Sequence, residues 1–305
     1  MPDYGRDLHF GWFLEPVGDT GEVLGAARLL DELGYDLIGI QDHPYQRRHF
    51  DTWALMAVIL GRTERVRVFP DVANLPLRLP AVMAKAAASL DRLSGGRFEL
   101  GLGAGAFWKA IGAMGGPVRA PGEALAALAE AIEIIRGMWS QQRSVRVHGE
   151  HYRLDGIYPG PPPAHDLGIW LGVYGPRALA LTGRAADGWV PSMGYLPPQA
   201  AAAAGARIDA AALEAGRDPA AIRRVYNISG AFTATAPAAA GDDDRDIQGP
   251  VDRWVEVLVH LAADVGFDSF LMSGWPDPAV MRTFVAEVAP AVRERVAALR
   301  ASRSA

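Results

Sequence analysis

The fold of this chain is decided by the stretch Leu93-Ser94-Gly95-Gly96-Arg97-Phe98-Glu99-Leu100-Gly101-Leu102-Gly103-Ala104-Gly105. Its paired glycines predict the end of a helix, because glycine readily adopts the backbone conformation that terminates helices. The apolar run Phe98–Leu102 then has the length and composition of a buried strand. A glycine-rich turn follows at once. Helix end, buried strand and turn in this order predict one unit of a parallel α/β fold.

The same unit recurs along the chain. The first four apolar runs begin at residues 10, 37, 66 and 98, so they are 27, 29 and 32 residues apart, the length of a strand with a crossover helix. Eight such strands can form an open sheet or a closed barrel, and their even spacing favours an α/β fold of the (β/α)₈ TIM barrel type. The predicted strands are Phe10–Leu14, Leu37–Gln41, Val66–Pro70, Phe98–Leu102, Ile169–Val173, Gly188–Pro191, Arg224–Ser229 and Phe267–Met272.

Two segments depart from the repeat. Residues 141–167 are polar and proline-rich, which predicts an insertion after the fourth helix that contains a hairpin and an extended piece. Residues 236–250 show no periodicity and follow the seventh strand, so they form either a lid over the barrel mouth or a solvated linker. The insertion is too short to be a second domain, and we expect residues 1–305 to form a single barrel domain.

The composition excludes several classes of function. A formal net charge of -5 and a pI near 5.8 give no general attraction to nucleic acid or to an anionic membrane. The absence of cysteine excludes thiolate nucleophiles, disulfides and cysteine-ligated metals, and no zinc-ligand pattern suggests another metal site. The first residues carry acids and no long apolar run, so we expect a cytoplasmic protein without a signal peptide or membrane span.

Asp42 and His43 follow the second predicted strand. Side chains at the C-terminal ends of barrel strands meet at one mouth, where such enzymes carry their active sites. A histidine there can move protons near neutral pH, and the adjacent aspartate can orient it or bind a polar ligand edge. A histidine that is merely hydrogen-bonded in a loop explains the same residues equally well.

Glycine-rich turns follow the fourth and fifth strands. Gly103, Ala104 and Gly105 allow a ligand to approach the backbone closely and offer amide N–H groups to a phosphate. The second turn places a helix N-terminus beside an arginine, which is a suitable anion site, although an ordinary turn with an exposed arginine fits as well. The residues concerned in this turn are Gly172, Tyr174, Gly175 and Arg177.

A largely apolar rim completes the predicted mouth. Asp71 and Val72 follow the third strand, and aromatic side chains near other strand ends could extend the same wall. Such walls suit a flat aromatic ring system, although most aromatic residues in any protein belong to the core. The aromatic candidates are Trp12, Phe13, Trp108, Tyr174 and Trp189.

The stretch Leu93–Gly105, the strand Ile169-Trp170-Leu171-Gly172 and the motif Ala186-Asp187-Gly188-Trp189 resemble the bacterial luciferase-like family of flavin-dependent oxidoreductases. The resemblance runs from about Phe10 to Ala289. It implies a (β/α)₈ barrel with an insertion after the fourth helix, and a cofactor that is either FMN or the deazaflavin coenzyme F420. It also implies a small-molecule substrate, a homodimer and, in some members, a separate flavin reductase that supplies reduced FMN.

Carried over by position, the resemblance implies that Asp42 and His43 lie beside the reactive face of the ring, with His43 as proton donor or acceptor. Asp71 and Val72 would back the ring. Gly103 to Gly105 and Gly172 to Arg177 would border the ribityl-phosphate tail. One departure concerns the tail, because several flavin-using members carry a polar or basic residue where this chain has Ala104 and Ala106.

Three functions are compatible with these observations. The leading hypothesis is a redox enzyme that either transfers hydride with a deazaflavin or activates oxygen with reduced FMN, as a luciferase-like monooxygenase does. An alternative is a non-catalytic flavin-binding barrel that acts as a carrier or sensor, because a fold alone never guarantees chemistry. A third is a lyase or isomerase of phosphate esters, which would need a second acid or base such as Glu15.

Overall fold

The computed structural model describes residues 3–235 and 245–304. Its central feature is a barrel of parallel strands that agrees with the eight predicted strands to within about two residues at most ends. The barrel strands are β1 (His9–Leu14), β2 (Leu37–Ile40), β3 (Arg67–Pro70) with its continuation β4 (Ala73–Asn74), β5 (Leu100–Gly103), β8 (Ile169–Leu171), β9 (Gly188–Trp189), β10 (Arg223–Ile228) and β13 (Ser269–Ser273). The predicted (β/α)₈ barrel is confirmed.

Helices cover the outside of the barrel. Most begin with a proline or a capping carboxylate, as for α1, where Asp19 and Glu22 form a reciprocal capping box. They are α1 (Thr20–Leu33), α2 (Thr52–Leu60), α3 (Pro80–Ser94), α4 (Trp108–Ala113), α5 (Pro121–Trp139), α6 (Pro176–Ala185), α7 (Pro198–Glu214), α8 (Val251–His260), α9 (Pro278–Thr283) and α10 (Ala289–Ser304). Short 3-10 turns occupy Leu75–Leu77 and Pro219–Ala221, and π-helical turns occupy Leu261–Val265 and Phe284–Val288.

The strands are hydrogen-bonded in the order β3-β2-β1-β13-β10-β9-β8-β5-β4. A bridge between Val68 and Phe98 joins the two ends of this sheet and closes the barrel. β3 stops pairing with β2 at Pro70, and the chain pairs again as β4 with β5. The side chain of Val72, between these two pieces, packs against the barrel interior.

The barrel interior is filled by a cluster of six buried apolar side chains. They come from alternate positions of the strands, because successive strand residues point to opposite faces. The other strand faces pack on the helices, where Leu128, Ile132 and Ile135 of α5 belong to the main core. The interior cluster consists of Leu37, Phe69, Trp170, Val190, Val225 and Leu271.

The segment 141–167 contains the antiparallel hairpin of β6 (Val145–His148) and β7 (Arg153–Ile157). His165, near its end, lies 2.8 Å from Asp91 on α3 and 3.2 Å from Glu99 at the start of β5. These hydrogen bonds, first to Asp91 and then to Glu99, raise the pKa of His165 to about 9. A charged contact thus fixes the end of the segment against the bottom of the barrel.

Of the predicted lid or linker, residues 236–250, the part from 236 to 244 lies outside the described residues. Its last part forms strand β12 (Ile247–Gly249), which pairs in parallel with β11 (Gly230–Phe232). The sequence did not predict this pair, because three-residue strands carry too little periodicity to be recognised. Within residues 3–235 and 245–304, every helix is too short or too polar to cross a lipid bilayer.

Candidate active site

The wall of the mouth is built from glycines that make room for Val72. A Cβ atom added to Gly103 or to Gly172 would lie 2.8 Å from Val72 Cγ2, well inside van der Waals contact. Gly101 is still closer, since its Cβ would lie 2.1 Å from the carbonyl oxygen of Pro70. The third, fourth and fifth strands therefore approach each other at a surface that has few side chains, and such a surface can accept a flat ring.

His43 lies at the mouth after β2, and two aromatic rings fix its position. The Tyr45 ring stacks on the imidazole with a centroid distance of 5.2 Å, and the Phe107 ring meets it edge to face at the same distance. Burial, and secondarily the nearby His49, lowers the pKa of His43 to about 4. The imidazole is therefore neutral at physiological pH and can accept a proton.

The Asp42 carboxylate is bound to the neighbouring strand. It accepts a hydrogen bond of 2.9 Å from the backbone N–H of Asn74, which ties the end of β2 to β4. Burial raises the pKa of Asp42, and the hydrogen bond from Asn74 opposes this effect. Asp42 thus supports the loop that carries His43 without contacting the imidazole.

A buried polar cluster lies at the floor of the mouth. Asp71 is buried beside Gly39, whose added Cβ would lie 2.9 Å from Asp71 Oδ2. Asn227, on the seventh barrel strand, donates a hydrogen bond of 3.3 Å to Ser192 Oγ, and the Ser192 amide donates to the Tyr174 hydroxyl at 3.2 Å. Burial raises the pKa of Asp71 to about 7, an effect that the neighbouring Asn227 amide opposes.

An open cleft with a volume of about 320 Å³ lies between the turns after the fourth and fifth barrel strands and the start of α6. It contains the predicted turns after the fourth and fifth strands, and its far wall is apolar. Gly175 caps α6 and Arg177 lies in the first turn, so free N–H groups and an exposed cation face the same cleft. The lining includes Ala104, Gly105, Trp108, Leu125, Leu128, Val173, Gly175 and Arg177.

Not every predicted residue reaches the mouth. Phe13, one residue before the C-terminal end of β1, is half-buried and packs on the interior cluster, so it faces inward as predicted. Trp189 is buried on the outer face of the barrel, where its indole stacks on Phe267 and donates to the Val173 carbonyl at 2.9 Å. The expectation that Trp189 touches a ligand is therefore corrected, because its position in the strand turns it toward the helices.

Three residues of the mouth were missed by the sequence reasoning as binding or catalytic candidates: Tyr45, Phe107 and Asn227. Asn227 carried a usable signal, since it lies two residues after the inward-facing Val225 and must share its face of the strand. The other two lie in irregular loops, and only the tertiary structure brings them to His43.

Comparison with known proteins now identifies the family. A sequence profile described as luciferase-like monooxygenase matches residues 8–255. The chain belongs to this family. This family membership agrees with the barrel seen in the structure and with the resemblance on which the cofactor expectations rest.

Oxidoreductases are among the relatives that match this chain in sequence. The F420-dependent glucose-6-phosphate dehydrogenase of Intrasporangium calvum is 32% identical over 189 residues, which cover 57% of this chain and 56% of the relative. The 5,10-methylenetetrahydromethanopterin reductase of Methanolobus tindarius is 31% identical over 212 residues, covering 70% of this chain and 62% of the relative. This luciferase-like chain thus spans somewhat more than half the length of the curated relatives it matches.

A solved F420-dependent secondary alcohol dehydrogenase, in complex with an F420–acetone adduct, has the same fold. The TM-score is 0.81, the sequence identity is 18%, and the match covers 94% of this chain and 99% of that structure. At this identity the likeness concerns the barrel and not its chemistry.

The mouth also fits a flavin-type ring on its own geometry. The wall formed by the glycines carries only the small side chain of Val72, while Asp71 Oδ2 and Asn227 Oδ1 are buried without a hydrogen-bond partner among the described residues. Buried polar atoms without partners are costly, so their presence at a mouth indicates a ligand that brings hydrogen-bonding groups of its own. A pyrimidinedione edge, which flavins and deazaflavins share, is such a ligand.

Proposed function

We propose that this protein is an oxidoreductase that transfers hydride between the deazaflavin coenzyme F420 and a small organic substrate at the mouth of the barrel. The single observation that carries the proposal is His43, a neutral imidazole that two aromatic rings fix at the same mouth as the glycine-rich wall around Val72. Together these features provide a proton acceptor and a surface for a ring.

The residues of the mouth would divide the work of binding. Val72, Gly103 and Gly172 would back the ring, and the cleft at α6 would hold the phosphate-bearing tail through free N–H groups and Arg177. When bound, the deazaflavin supplies a two-electron hydride donor or acceptor. His43 takes the proton of a substrate hydroxyl as the adjacent carbon is oxidised, and returns it in the opposite direction.

The choice of deazaflavin rests on the relatives. The F420-dependent glucose-6-phosphate dehydrogenases and the methanopterin reductase match this chain at 31–33% identity. An Asp-His pair after the second strand, here Asp42-His43, resembles the deazaflavin-dependent branch of the family, and it also occurs in FMN-type members. The second candidate is oxygen activation with reduced FMN, favoured by the description of the matching family as monooxygenases. In that case the FMN phosphate would bind at Arg177 and the N-terminus of α6. Ala104 would not contribute, because it lies where several flavin-using members carry a polar or basic residue.

Titration of the purified protein with F420 and with FMN tests the proposal. We expect F420 to bind, with a shift of its visible absorbance, and its reduction by an alcohol to consume no oxygen. Tighter binding of FMN together with oxygen uptake would favour the second candidate. Binding of neither cofactor would refute both.

The His43→Ala variant separates an enzyme from a carrier. Catalysis by His43 predicts a loss of kcat of about 10²–10⁴-fold with cofactor affinity largely retained. A non-catalytic flavin-binding barrel would keep its binding function in this variant. The phosphate-ester lyase hypothesis predicts turnover without any cofactor, which an assay of the cofactor-free protein would detect.

The proposal includes a cytoplasmic location, expected from the first residues of the sequence, and two expectations from the family resemblance: a homodimer and, with FMN, a separate reductase. Sedimentation at micromolar concentration would establish whether a dimer forms. A requirement for an added flavin reductase in turnover would support the FMN case against the F420 case.

A further inference from the structure

The carboxyl group of Asp71 has unusual surroundings for an acid. It is buried at the floor of the mouth, its Oδ2 atom has no hydrogen-bond partner among the described residues, and no cation compensates its charge. By contrast, Asp268 at the bottom of the barrel is equally buried but pairs with Arg223 at 2.9 Å. A buried carboxylate without a partner is unstable, and the neutral acid is the form that such a site favours.

The neighbours of Asp71 supply polarity without charge. Gly39 and Leu271 contact it from the second and eighth barrel strands, and Asn227 faces it from the seventh. Burial raises the pKa of Tyr174, and this titratable side chain is near enough for the charge of Asp71 to raise its pKa further. Asn227 Oδ1, like Asp71 Oδ2, lacks a partner in the described structure.

We infer that Asp71 and Asn227 form a subsite for the imide edge of the bound ring. In this subsite Asp71 is protonated and its O–H group donates a hydrogen bond to a ring carbonyl, while Asn227 Oδ1 accepts a hydrogen bond from the ring N–H. This subsite rests on the proposed function. Cofactor binding takes up a proton at neutral pH and above, because an ionised Asp71 would face a carbonyl oxygen.

Asp71 takes up a proton when the cofactor binds because binding removes further water from a site that is already poorly solvated. Burial alone brings the pKa of Asp71 to about 7 in the free protein, so the group is about half ionised at neutral pH. A ring that covers the floor removes the remaining water and replaces it with a hydrogen-bond acceptor. Both changes favour the neutral acid.

The experiment measures the dissociation constant of F420, and in parallel of FMN, from pH 6 to pH 9. Affinity of the wild-type protein should weaken by about tenfold for each pH unit above 7, since each binding event must then protonate Asp71. The Asp71→Asn variant, which cannot ionise, should lose this part of the pH dependence. The difference between the two proteins cancels protons that the cofactor itself takes up or releases.

Calorimetry in buffers of different ionisation enthalpy gives the proton count directly. At pH 8 the wild-type protein should take up close to one proton more than Asp71→Asn on binding the same cofactor. Asp36→Asn serves as control, since Asp36 is a partly buried carboxyl at the opposite end of the barrel, paired with Arg293. If Asp71→Asn does not fold, Asp71→Ser replaces it, because a smaller neutral group leaves the same position uncharged.

Parallel pH profiles for wild type and Asp71→Asn, with equal proton counts, would overturn the inference while leaving the proposed function intact. Failure of both cofactors to bind at every pH would instead overturn the proposed function, and the inference with it. A pH dependence lost equally in Asp36→Asn would also overturn the inference, because the effect would then not belong to the mouth.

Discussion

Alanine at Gly172 would force a methyl group into the wall of the mouth. Its Cβ would lie 2.8 Å from Cγ2 and 3.0 Å from Cγ1 of Val72, whereas ordinary contacts begin near 3.4 Å, so Val72 or the end of β8 must move by about 0.6 Å. Overpacking of this kind costs about 1–3 kcal/mol of folding free energy. Because Val72 is proposed to back the ring, we expect F420 affinity to fall about tenfold, or about 1.4 kcal/mol.

Urea denaturation and F420 titration of Gly172→Ala measure both effects. Gly25→Ala is the matched control, because no atom lies within 4 Å of the added Cβ and the helical position should gain about 0.5–1 kcal/mol. In the double variant with Val72→Ala the two γ-carbons are gone, so the costs should be less than additive by at least about 1 kcal/mol. Additive costs in this cycle, or unchanged F420 affinity in Gly172→Ala, would refute the reasoning.

Three further predictions concern protons and charge. The pKa of His43 near 4 predicts that kcat/KM for alcohol oxidation stays on its plateau down to about pH 5, and a decline already centred at pH 6.5 would contradict it. For His165 the folded-state pKa of about 9 lies above the ordinary 6.5, so its stabilisation is complete below pH 6.5 and disappears as pH rises through 9. This pKa difference corresponds to about 3 kcal/mol of folding free energy, which partial exposure of the side chain reduces to about 1–2 kcal/mol. Urea midpoints of His165→Gln and wild type at pH 6 and pH 10 would measure the effect, and His148→Gln, at an exposed histidine, is the control. Arg177→Ala should weaken F420 binding about tenfold at low salt and less at high salt, whereas Arg184→Ala, in the last turn of the same helix, should leave it unchanged.

The sequence predicted the barrel well because its evidence is local. Each strand is a short apolar run, and the glycines of Gly95-Gly96 and the proline of Pro80 mark helix ends within a few residues of chain. The same locality explains the failures. Trp189 belongs to a strand of two residues, too short to show which face is inward, and the pairing of β11 with β12 joins segments that carry no periodic signal.

The candidate site was predicted at its strand ends but not in its contacts. His43 was placed at the mouth by its position after the second strand, yet the rings of Tyr45 and Phe107 that hold it come from loops of irregular conformation. Asp42 was expected beside His43 and instead binds the Asn74 amide, because the direction of a side chain after a strand depends on the loop that follows.

By itself the sequence determined the repeat, the eight strands and the edge of the sheet at which polar and glycine residues collect. These depend on hydrophobic periodicity and turn residues, which act over a few positions of the chain. Only the tertiary structure decided that Val72 fills the space above three glycines and that Asp71 is buried beside Asn227 without a cation. Such features depend on distances between strands far apart in sequence, and burial, unlike periodicity, exists only once the barrel has closed.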